Sequence, residues 1–108
     1  MSRAKRGEVW LIDLGMTAKV RPCLVMSVPA GDADRALVAL VPHTTSRRGT
    51  QFECSLETHF LKAGAFDAQG IVTVPEAKLL RRLGTLRLEQ MAAVEEVMKR
   101  WLGLTPPN

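Results

Sequence analysis

An arginine followed directly by a proline, Arg21-Pro22, is the pair of residues in this chain best suited to binding a phosphate. Proline fixes its own φ and biases the preceding residue toward an extended backbone, so Arg21 is held where a strand begins. A guanidinium held in this way can meet a phosphate with two parallel hydrogen bonds, which a flexible lysine does less well. The alternative is an ordinary surface arginine beside an edge-strand proline, and the pair taken alone favours that alternative.

A polar and basic segment from Pro42 to Gly49 (PHTTSRRG) supplies a second set of candidate side chains. We expect an exposed loop here, because the segment is too polar and too basic to be buried. Arg47 and Arg48 can follow a phosphate backbone, or they can be the solvated tip of the loop. The residues alone leave both interpretations open.

The net charge of +4 is unevenly distributed along the chain. Residues 1–50 hold eight Lys and Arg against four Asp and Glu, whereas residues 51–108 hold seven of each. The excess positive charge surrounds the Arg-Pro pair and its neighbours, a distribution that suits a polyanion. The alternative is a solvated surface that happens to be basic.

Length and composition narrow the class of protein. A chain of 108 residues is expected to form a single domain, residues 1–108, with one core. No segment approaches the roughly 18 consecutive apolar residues of a membrane span, and no signal-peptide pattern follows the basic N-terminus, so we expect a cytoplasmic protein. Cys23 and Cys54 lie in strand-like runs and are predicted to be buried thiols. The spacing of His and Cys predicts no metal site and no cofactor.

Short β-strands are the elements that must position the candidate residues. β-Formers, alternating patterns and Gly or Pro boundaries indicate five of them, the third apolar on both faces and therefore central. The predicted strands are Glu8–Leu14, Cys23–Val28, Arg35–Val41, Thr50–Leu56 and Ile71–Val74. Residues 57–69 carry no clear pattern, although Gly64 and Asp67 favour a loop.

The periodicity then changes to that of a helix. Apolar residues at helical spacing are Leu88, Met91, Val94, Met98 and Trp101. Pairs four residues apart, Glu95/Lys99 and Glu96/Arg100, are expected to form ion pairs, and Gly103 with Pro106-Pro107 ends the helix. Several short strands followed by one helix predict a mainly β fold, a twisted antiparallel sheet or small barrel with a C-terminal helix packed on it.

Three stretches stand in order in the first half of the chain: Gly7–Leu14, Arg21–Ser27 and Val41–Ser46. Together they resemble the MazF/PemK toxins. Gly7–Leu14 (GEVWLIDL) resembles the family's opening Gly-Asp/Glu-hydrophobic-Trp strand, and Arg21–Ser27 (RPCLVMS) its Arg-Pro-hydrophobic strand. Val41–Ser46 (VPHTTS) resembles the end of its third strand, where Pro-x-Thr-Ser/Thr recurs. Each motif is weak alone, but three in the right order over the first half of the chain support one another.

The resemblance implies a fold, an activity and partners. The fold would be an SH3-like barrel with helices, and the protein would be the toxin of a type II toxin–antitoxin pair. It would act as a homodimeric, sequence-specific endoribonuclease on single-stranded mRNA and bind a cognate antitoxin. A homodimer is also expected because strands apolar on both faces cannot be covered by one helix.

Two segments depart from the family pattern. The loop from Gly15 to Val20 is short, so the glutamate of the longer loop in many relatives has no counterpart. Ala68–Thr73 (AQGIVT) stands where relatives often carry Asp-Gln-hydrophobic-Arg-Thr/Ser, and it has no arginine. Substrate contacts made by those segments cannot be carried over to this chain.

The chemistry available without a metal is attack by the ribose 2′-OH on the adjacent phosphorus. It requires a base near the 2′-OH, an acid near the 5′ oxygen, and cations or donors at the phosphoryl oxygens. Arg21 and Thr44 match the family's catalytic positions. We assign Arg21 to charge stabilisation, because a guanidinium is not readily deprotonated, and Thr44 to hydrogen bonding. A turn residue that satisfies local backbone is the alternative for Thr44.

The remaining predicted site residues bind RNA. His43, one residue from Thr44, has an ordinary pKa of about 6.5 that suits proton transfer, and an exposed loop histidine is the alternative. The predicted RNA-binding residues are Lys19, His43, Thr45, Ser46, Arg47 and Arg48.

Two other functions stay open from the sequence. The first is a nucleic-acid-binding module that has lost cleavage, which the two departures allow. The second is a gyrase poison resembling the CcdB toxins, which share the fold but lack the Arg-Pro and Pro-x-Thr-Thr pairing.

Overall fold

Seven strands precede a single C-terminal helix in the part of the chain that the computed structural model describes, residues 4–15 and 19–105. The strands are β1 (Glu8–Asp13), β2 (Val20–Val25), β3 (Leu37–Thr44), β4 (Glu53–Ser55), β5 (Ala65–Asp67), β6 (Val72–Pro75) and β7 (Leu79–Thr85), and the helix is α1 (Leu88–Leu102). Two short 3-10 helices, Ala68–Gly70 and Glu76–Lys78, flank β6. The mainly antiparallel fold with one C-terminal helix confirms the predicted fold class.

All strand pairs are antiparallel, in the order β4-β5-β3-β2-β1-β7, with β6 also paired to β3. Strand β3 is central, as predicted. It pairs with β2 through its middle, with β6 through its first half and with β5 through His43 and Thr44. The end of β3 therefore lies beside both β2 and β5.

Two apolar clusters lie on opposite faces of β1 and β2. Val9 and Leu24 pack toward α1, whereas Ile12 and Cys23 pack inside the curl of the sheet with Leu79 of β7. Burial raises the pKa of the Cys23 thiol to about 12, and Cys54 is buried too, as predicted. This second cluster is already buried within one chain, so our argument that a second copy must cover it is wrong.

Strand β2 begins earlier than predicted and includes the Arg-Pro pair. Arg21 pairs with Ile12 and Pro22 with Leu11. The Val25 carbonyl accepts a hydrogen bond from the Gly7 amide, so the backbone groups of Val25 face β1. Because these groups alternate between the two edges of a strand, the nitrogen of Pro22 faces β3 instead. Pairing with β3 reaches only Cys23, so the missing amide proton is not needed.

Strand β2 also ends earlier than predicted, at Val25, and Val28 lies outside it with 72% of its surface exposed. Strand β3 runs past its predicted end, through Pro42 and His43 to Thr44. We expected an exposed loop from Pro42 onward, but Pro42 pairs with Cys23 of β2, while His43 and Thr44 pair with β5. Pro42 and His43 are buried. The predicted loop is therefore wrong in its first three residues.

Strands β5 and β7 were not predicted. β5 has only three residues, too few for an alternating pattern. β7 (LLRRLGT) pairs with β1 through two register shifts, which interrupt the alternation that marks a strand in sequence. Both strands exist because neighbouring strands offer them hydrogen bonds.

The helix matches its prediction in the middle and differs at its ends. Met91, Val94 and Met98 are buried, but Leu88 is 88% exposed and Trp101 38% exposed. Gly103 ends the helix with φ of 72°, as predicted, while Pro106-Pro107 lie outside the described residues. No helix in the described ranges is long and apolar enough to cross a membrane.

The predicted ion pairs along α1 are wrong. Glu95 instead contacts Arg6, and Lys99 bonds Glu96 three residues earlier at 3.4 Å. Arg100 donates to the Gln51 carbonyl at 3.2 Å, which ties the last turn of the helix to the segment before β4. Tertiary partners replace the local ones for Glu95 and Arg100, because the helix lies against the sheet.

Candidate functional site

A groove with a volume of about 510 Å³ opens beside the adjoining ends of β2 and β3. Five of the eight predicted site residues line it: Arg21, His43, Thr44, Thr45 and Ser46. They come from two strands and from the loop after β3, segments about 20 residues apart in sequence. The sheet therefore brings the two candidate segments together.

Strand register explains why Arg21 and Thr44 share the groove. β2 pairs with β3 at Cys23 and Pro42, and continuing this antiparallel register by two residues places Arg21 opposite Thr44. Arg21 is exposed, and its guanidinium forms no ion pair with any residue in the described ranges. Its charge is thus available to an anion in the groove.

The Thr44 side chain is held by a local turn. Its Oγ1 accepts a hydrogen bond of 3.0 Å from the backbone amide of Ser46. A hydroxyl that accepts through its oxygen still has its proton to donate, so the turn orients Thr44 without using its donor. The two interpretations of Thr44, turn residue and donor, are compatible.

His43 is buried, with 4% of its surface exposed, rather than lying in an exposed loop. Its ring meets the edge of Phe66 at a centroid distance of 5.1 Å, and its Nε2 has no hydrogen-bond partner among the described residues. Gly64 passes so close that a Cβ there would lie 2.8 Å from His43 Cε1 and 2.1 Å from the Thr44 carbonyl oxygen. The absence of a side chain at Gly64 lets its segment pack behind the end of β3.

Burial lowers the pKa of His43, which favours the neutral imidazole. In the unfolded chain the imidazole takes up a proton near its ordinary pKa of about 6.5. The stability associated with the neutral form is therefore complete above pH 6.5 and is lost as the pH falls toward the lower folded value.

We expect the free energy of unfolding to decrease below pH 6.5 by up to about 1.4 kcal/mol per pH unit from this one group. Urea unfolding between pH 8 and pH 5.5 measures the slope. His43→Gln should remove it, while His59→Gln, which changes an exposed side chain, should leave it in place. Equal slopes in the wild type and His43→Gln would show that His43 titrates alike in both states.

Three predicted RNA-binding residues do not line the groove. Lys19 is exposed and has a φ of 57°. Arg47 donates to Ser55 at 3.4 Å beside a neighbouring cleft. The backbone amide of Arg48 bonds the Glu53 carboxylate at 2.9 Å, which pins the loop. An RNA contact for these three residues requires a chain that extends beyond the groove.

Lys62 and Arg81 line the groove and were not predicted. Leu11 pairs with both Pro22 and Arg81, so these three residues form one row across the sheet. Nothing in the sequence places Arg81 in this row, because β7 has no strand pattern. Lys62 lies in a segment without any pattern, and only the fold brings it to the groove.

A buried carboxylate fixes β7 beside β1. Glu8 accepts from the Lys5 amide at 2.8 Å, from Trp10 Nε1 at 3.1 Å and from Arg82 at 3.1 Å. Burial raises the pKa of Glu8, but these hydrogen bonds and the Arg82 charge outweigh burial and hold it below the ordinary value. Arg82 is thereby engaged with Glu8, while its neighbour Arg81 lines the groove.

The groove is basic. Its charged lining residues among those described are Arg21, Lys62 and Arg81, and none of these lining residues is acidic. Residues 4–15 and 19–105 contain no group of three or more His, Cys, Asp or Glu placed to hold a metal ion. An anionic ligand is what this lining favours.

Comparison with known proteins gives one family and one fold. The model of the PemK-like, MazF-like toxins of type II toxin–antitoxin systems matches residues 5–102. A mycobacterial endoribonuclease solved in complex with its cognate antitoxin is 28% identical, with a TM-score of 0.83 over 96% of this chain and 99% of that one.

Two further solved structures share the fold at lower identity. Toxin MazF-mt6 of Mycobacterium tuberculosis is 23% identical, with a TM-score of 0.78 over 92% of this chain and 99% of that one. MazF of Deinococcus radiodurans is 22% identical, with a TM-score of 0.76 over 95% of this chain and 98% of that one.

Proposed function

The chain belongs to the PemK-like, MazF-like toxins of type II toxin–antitoxin systems, and from this membership we propose that it is an endoribonuclease that cuts single-stranded RNA in the groove described above. The observation that carries the proposal is the placement of Arg21 and Thr44 in one basic groove whose described lining has no acidic residue. The mycobacterial endoribonuclease of similar fold supports the same activity.

We propose that the nucleophile is the ribose 2′-OH of the substrate. Its oxygen forms a bond to the adjacent phosphorus while the bond to the 5′ oxygen breaks. The products are a 2′,3′-cyclic phosphate and a 5′-hydroxyl, so the proton lost by the 2′-OH is balanced by one gained by the leaving oxygen. Arg21 stabilises the negative charge on the phosphoryl oxygens, and the Thr44 hydroxyl donates a hydrogen bond to one of them.

His43 has a different role in this proposal from proton transfer. Its Nε2 is buried, and the ring packs between Phe66 and Gly64 directly before Thr44 in β3. We assign His43 to positioning Thr44, because a buried nitrogen cannot reach the 2′-OH without movement of the strand.

The test of the proposed function is incubation of the purified protein with a long RNA in EDTA, followed by mapping of the new ends. Cuts at defined sequences, each leaving a 5′-hydroxyl, are expected. RNA that is bound but stays intact would instead indicate a binding module without cleavage.

Thr44→Ala is expected to lower kcat by about 100- to 1000-fold, the usual effect of losing one preorganised donor. KM should change less, because the hydroxyl acts on charge that develops during the reaction. Single-turnover cleavage of a labelled RNA measures the loss. Thr45→Ala is the control, and a larger loss in that variant would show that we have chosen the wrong threonine.

We propose a cognate antitoxin and a second copy of the chain as partners, in a cytoplasmic setting. The family is defined by toxin–antitoxin pairs, and the basic groove suits an acidic segment that folds on binding.

The C-terminal end offers exposed apolar side chains for a partner: Trp101, Leu102 and Leu104. Light scattering at micromolar concentration should give the mass of a dimer, and a monomer mass would contradict the second copy.

A further inference from the structure

The segment between β4 and β5 forms a wall of the groove that is anchored to β7. Phe60 rests on Gly84, where a Cβ would lie only 2.5 Å from two carbons of the Phe60 ring. The His59 ring meets Phe60 edge-on at a centroid distance of 5.4 Å. Phe60 is half-buried and lines the groove, so a fixed aromatic ring borders the space beside Arg21.

Phe60 has both apolar and cationic neighbours in the groove lining. Leu61 and Leu83 are half-buried in the same lining, while Lys62 and Arg81 are exposed there. Arg81 has no hydrogen bond or ion pair through its side chain within the described ranges, whereas its neighbour Arg82 bonds Glu8. A half-buried aromatic ring with exposed cations in the same lining suits a nucleotide, which has a flat base and an anionic phosphate.

Arg81 lies on the other side of β1 from the Arg-Pro pair. Arg81 and Pro22 pair with the same residue of β1, Leu11, from opposite sides. Adjacent strands lie about 4.8 Å apart, so the backbones of Arg81 and Pro22 are roughly 10 Å apart across the sheet. Arg81 is therefore placed to bind a phosphate beside the one that Arg21 binds.

We propose that Phe60, Lys62 and Arg81 form a nucleotide subsite next to the scissile phosphate, in which the Phe60 ring stacks on one unpaired base and the two cations hold its phosphate. The inference rests on the proposed function and adds the residues that hold the nucleotide next to the cut. The RNA must have an unpaired base beside the cut, because a base in a duplex is covered on both faces by its neighbours. The subsite thus accounts for the single-stranded substrate of the proposed function.

Binding can be separated from cleavage with a fluorescein-labelled oligonucleotide whose sugars are all 2′-deoxy, which has no 2′-OH to attack. Anisotropy gives its Kd for the wild type and for Phe60→Leu, which should bind about tenfold more weakly. Phe52→Leu is the matched control, because Phe52 is also half-buried but packs against Trp101, with ring centroids 5.2 Å apart. It should bind like the wild type.

An abasic scan locates the stacked base. A single abasic nucleotide is moved along the labelled oligonucleotide, and one position should weaken binding to the wild type by about tenfold. Phe60→Leu should lose the effect of that position and keep the effects of the others. An abasic profile that is identical for the wild type and Phe60→Leu would overturn the stacking role.

The cation is tested independently of the fold around Phe60. Arg81→Gln should reduce the slope of log K against log salt by about one, as expected for one lost phosphate contact. Arg35→Gln removes an exposed arginine before β3, at the end of that strand opposite to Thr44, and should leave the slope unchanged. Equal slopes for Arg81→Gln and Arg35→Gln would overturn the phosphate contact.

The outcomes distinguish this inference from the proposed function. Cleavage of RNA by the wild type, with unchanged binding in Phe60→Leu and Arg81→Gln, would remove the subsite and leave the endoribonuclease intact. A wild type that neither binds nor cuts any RNA would remove both. If Phe60→Leu does not fold, the salt dependence of Arg81→Gln still tests the subsite, because the Arg81 side chain is exposed and its replacement should not affect folding.

Discussion

Replacing Arg21 by alanine is expected to lower the rate of RNA cleavage by about a thousandfold or more while leaving the fold intact. Loss of one neutral donor costs about 100- to 1000-fold, and Arg21 supplies a full charge in addition to its hydrogen bonds. The fold should be unaffected because the side chain is exposed and forms no ion pair with a described residue. Single-turnover cleavage and the Tm by circular dichroism measure the two effects.

Two variants separate the geometry of Arg21 from its charge. Arg21→Lys keeps the charge but replaces a planar fork by a point charge, so it should recover little activity. Arg35→Ala removes one exposed arginine far from the groove and should retain cleavage close to that of the wild type. Near-wild-type cleavage by Arg21→Ala would remove the central residue of the proposed mechanism.

A single 2′-deoxy sugar on the 5′ side of the scissile phosphate is expected to block cleavage at that phosphate. The proposed nucleophile is the 2′-OH of that sugar, and its removal leaves nothing to attack the phosphorus. Binding should weaken only modestly, because phosphate contacts carry most of the affinity of such complexes. Cleavage of matched ribo and deoxy oligonucleotides in EDTA, with anisotropy on the deoxy form, measures both effects.

Salt and the product ends distinguish this mechanism from attack by water. Raising the salt concentration should lower activity through binding, whereas the block by the deoxy sugar should persist at every salt concentration. The expected ends are a 2′,3′-cyclic phosphate, or its opened 3′-phosphate, and a 5′-hydroxyl. Cutting of the deoxy substrate at a comparable rate, or ends bearing a 5′-phosphate, would show that water attacks and that the roles of Arg21 and Thr44 must be revised.

Local patterns in the sequence were sufficient for several elements. The β-formers around Trp10 identify β1, and the helical spacing of Met91, Val94 and Met98 identifies the buried face of α1. Three motifs in order indicate the family, which the match over residues 5–102 confirms. They also pair Arg21 with Thr44 as candidates for one site. These conclusions depend on neighbours in sequence, where propensity and periodicity act directly.

Only the tertiary structure decided what surrounds that pair. His43 lies in a segment whose composition is typical of a loop, but pairing of β3 with β5 and the close approach of Gly64 bury it. Arg81 reaches the groove because β7 lies beside β1, and the register shifts of that pairing hide β7 in the sequence. Phe60 can line the groove only because Gly84, 24 positions later, leaves room for its ring.

Tertiary contacts also decide which basic side chains line the groove and which do not. Arg47 and Arg48 adjoin the Thr44 motif in sequence, yet Arg47 bonds Ser55 and the Arg48 backbone bonds Glu53 outside the groove. Lys62 and Arg81 are remote in sequence and line it. The sequence determined the family, the central strands and the candidate pair Arg21 and Thr44, since local patterns specify them. Strand pairing and register decided which other side chains line the groove with that pair, because they bring together residues that no local pattern connects.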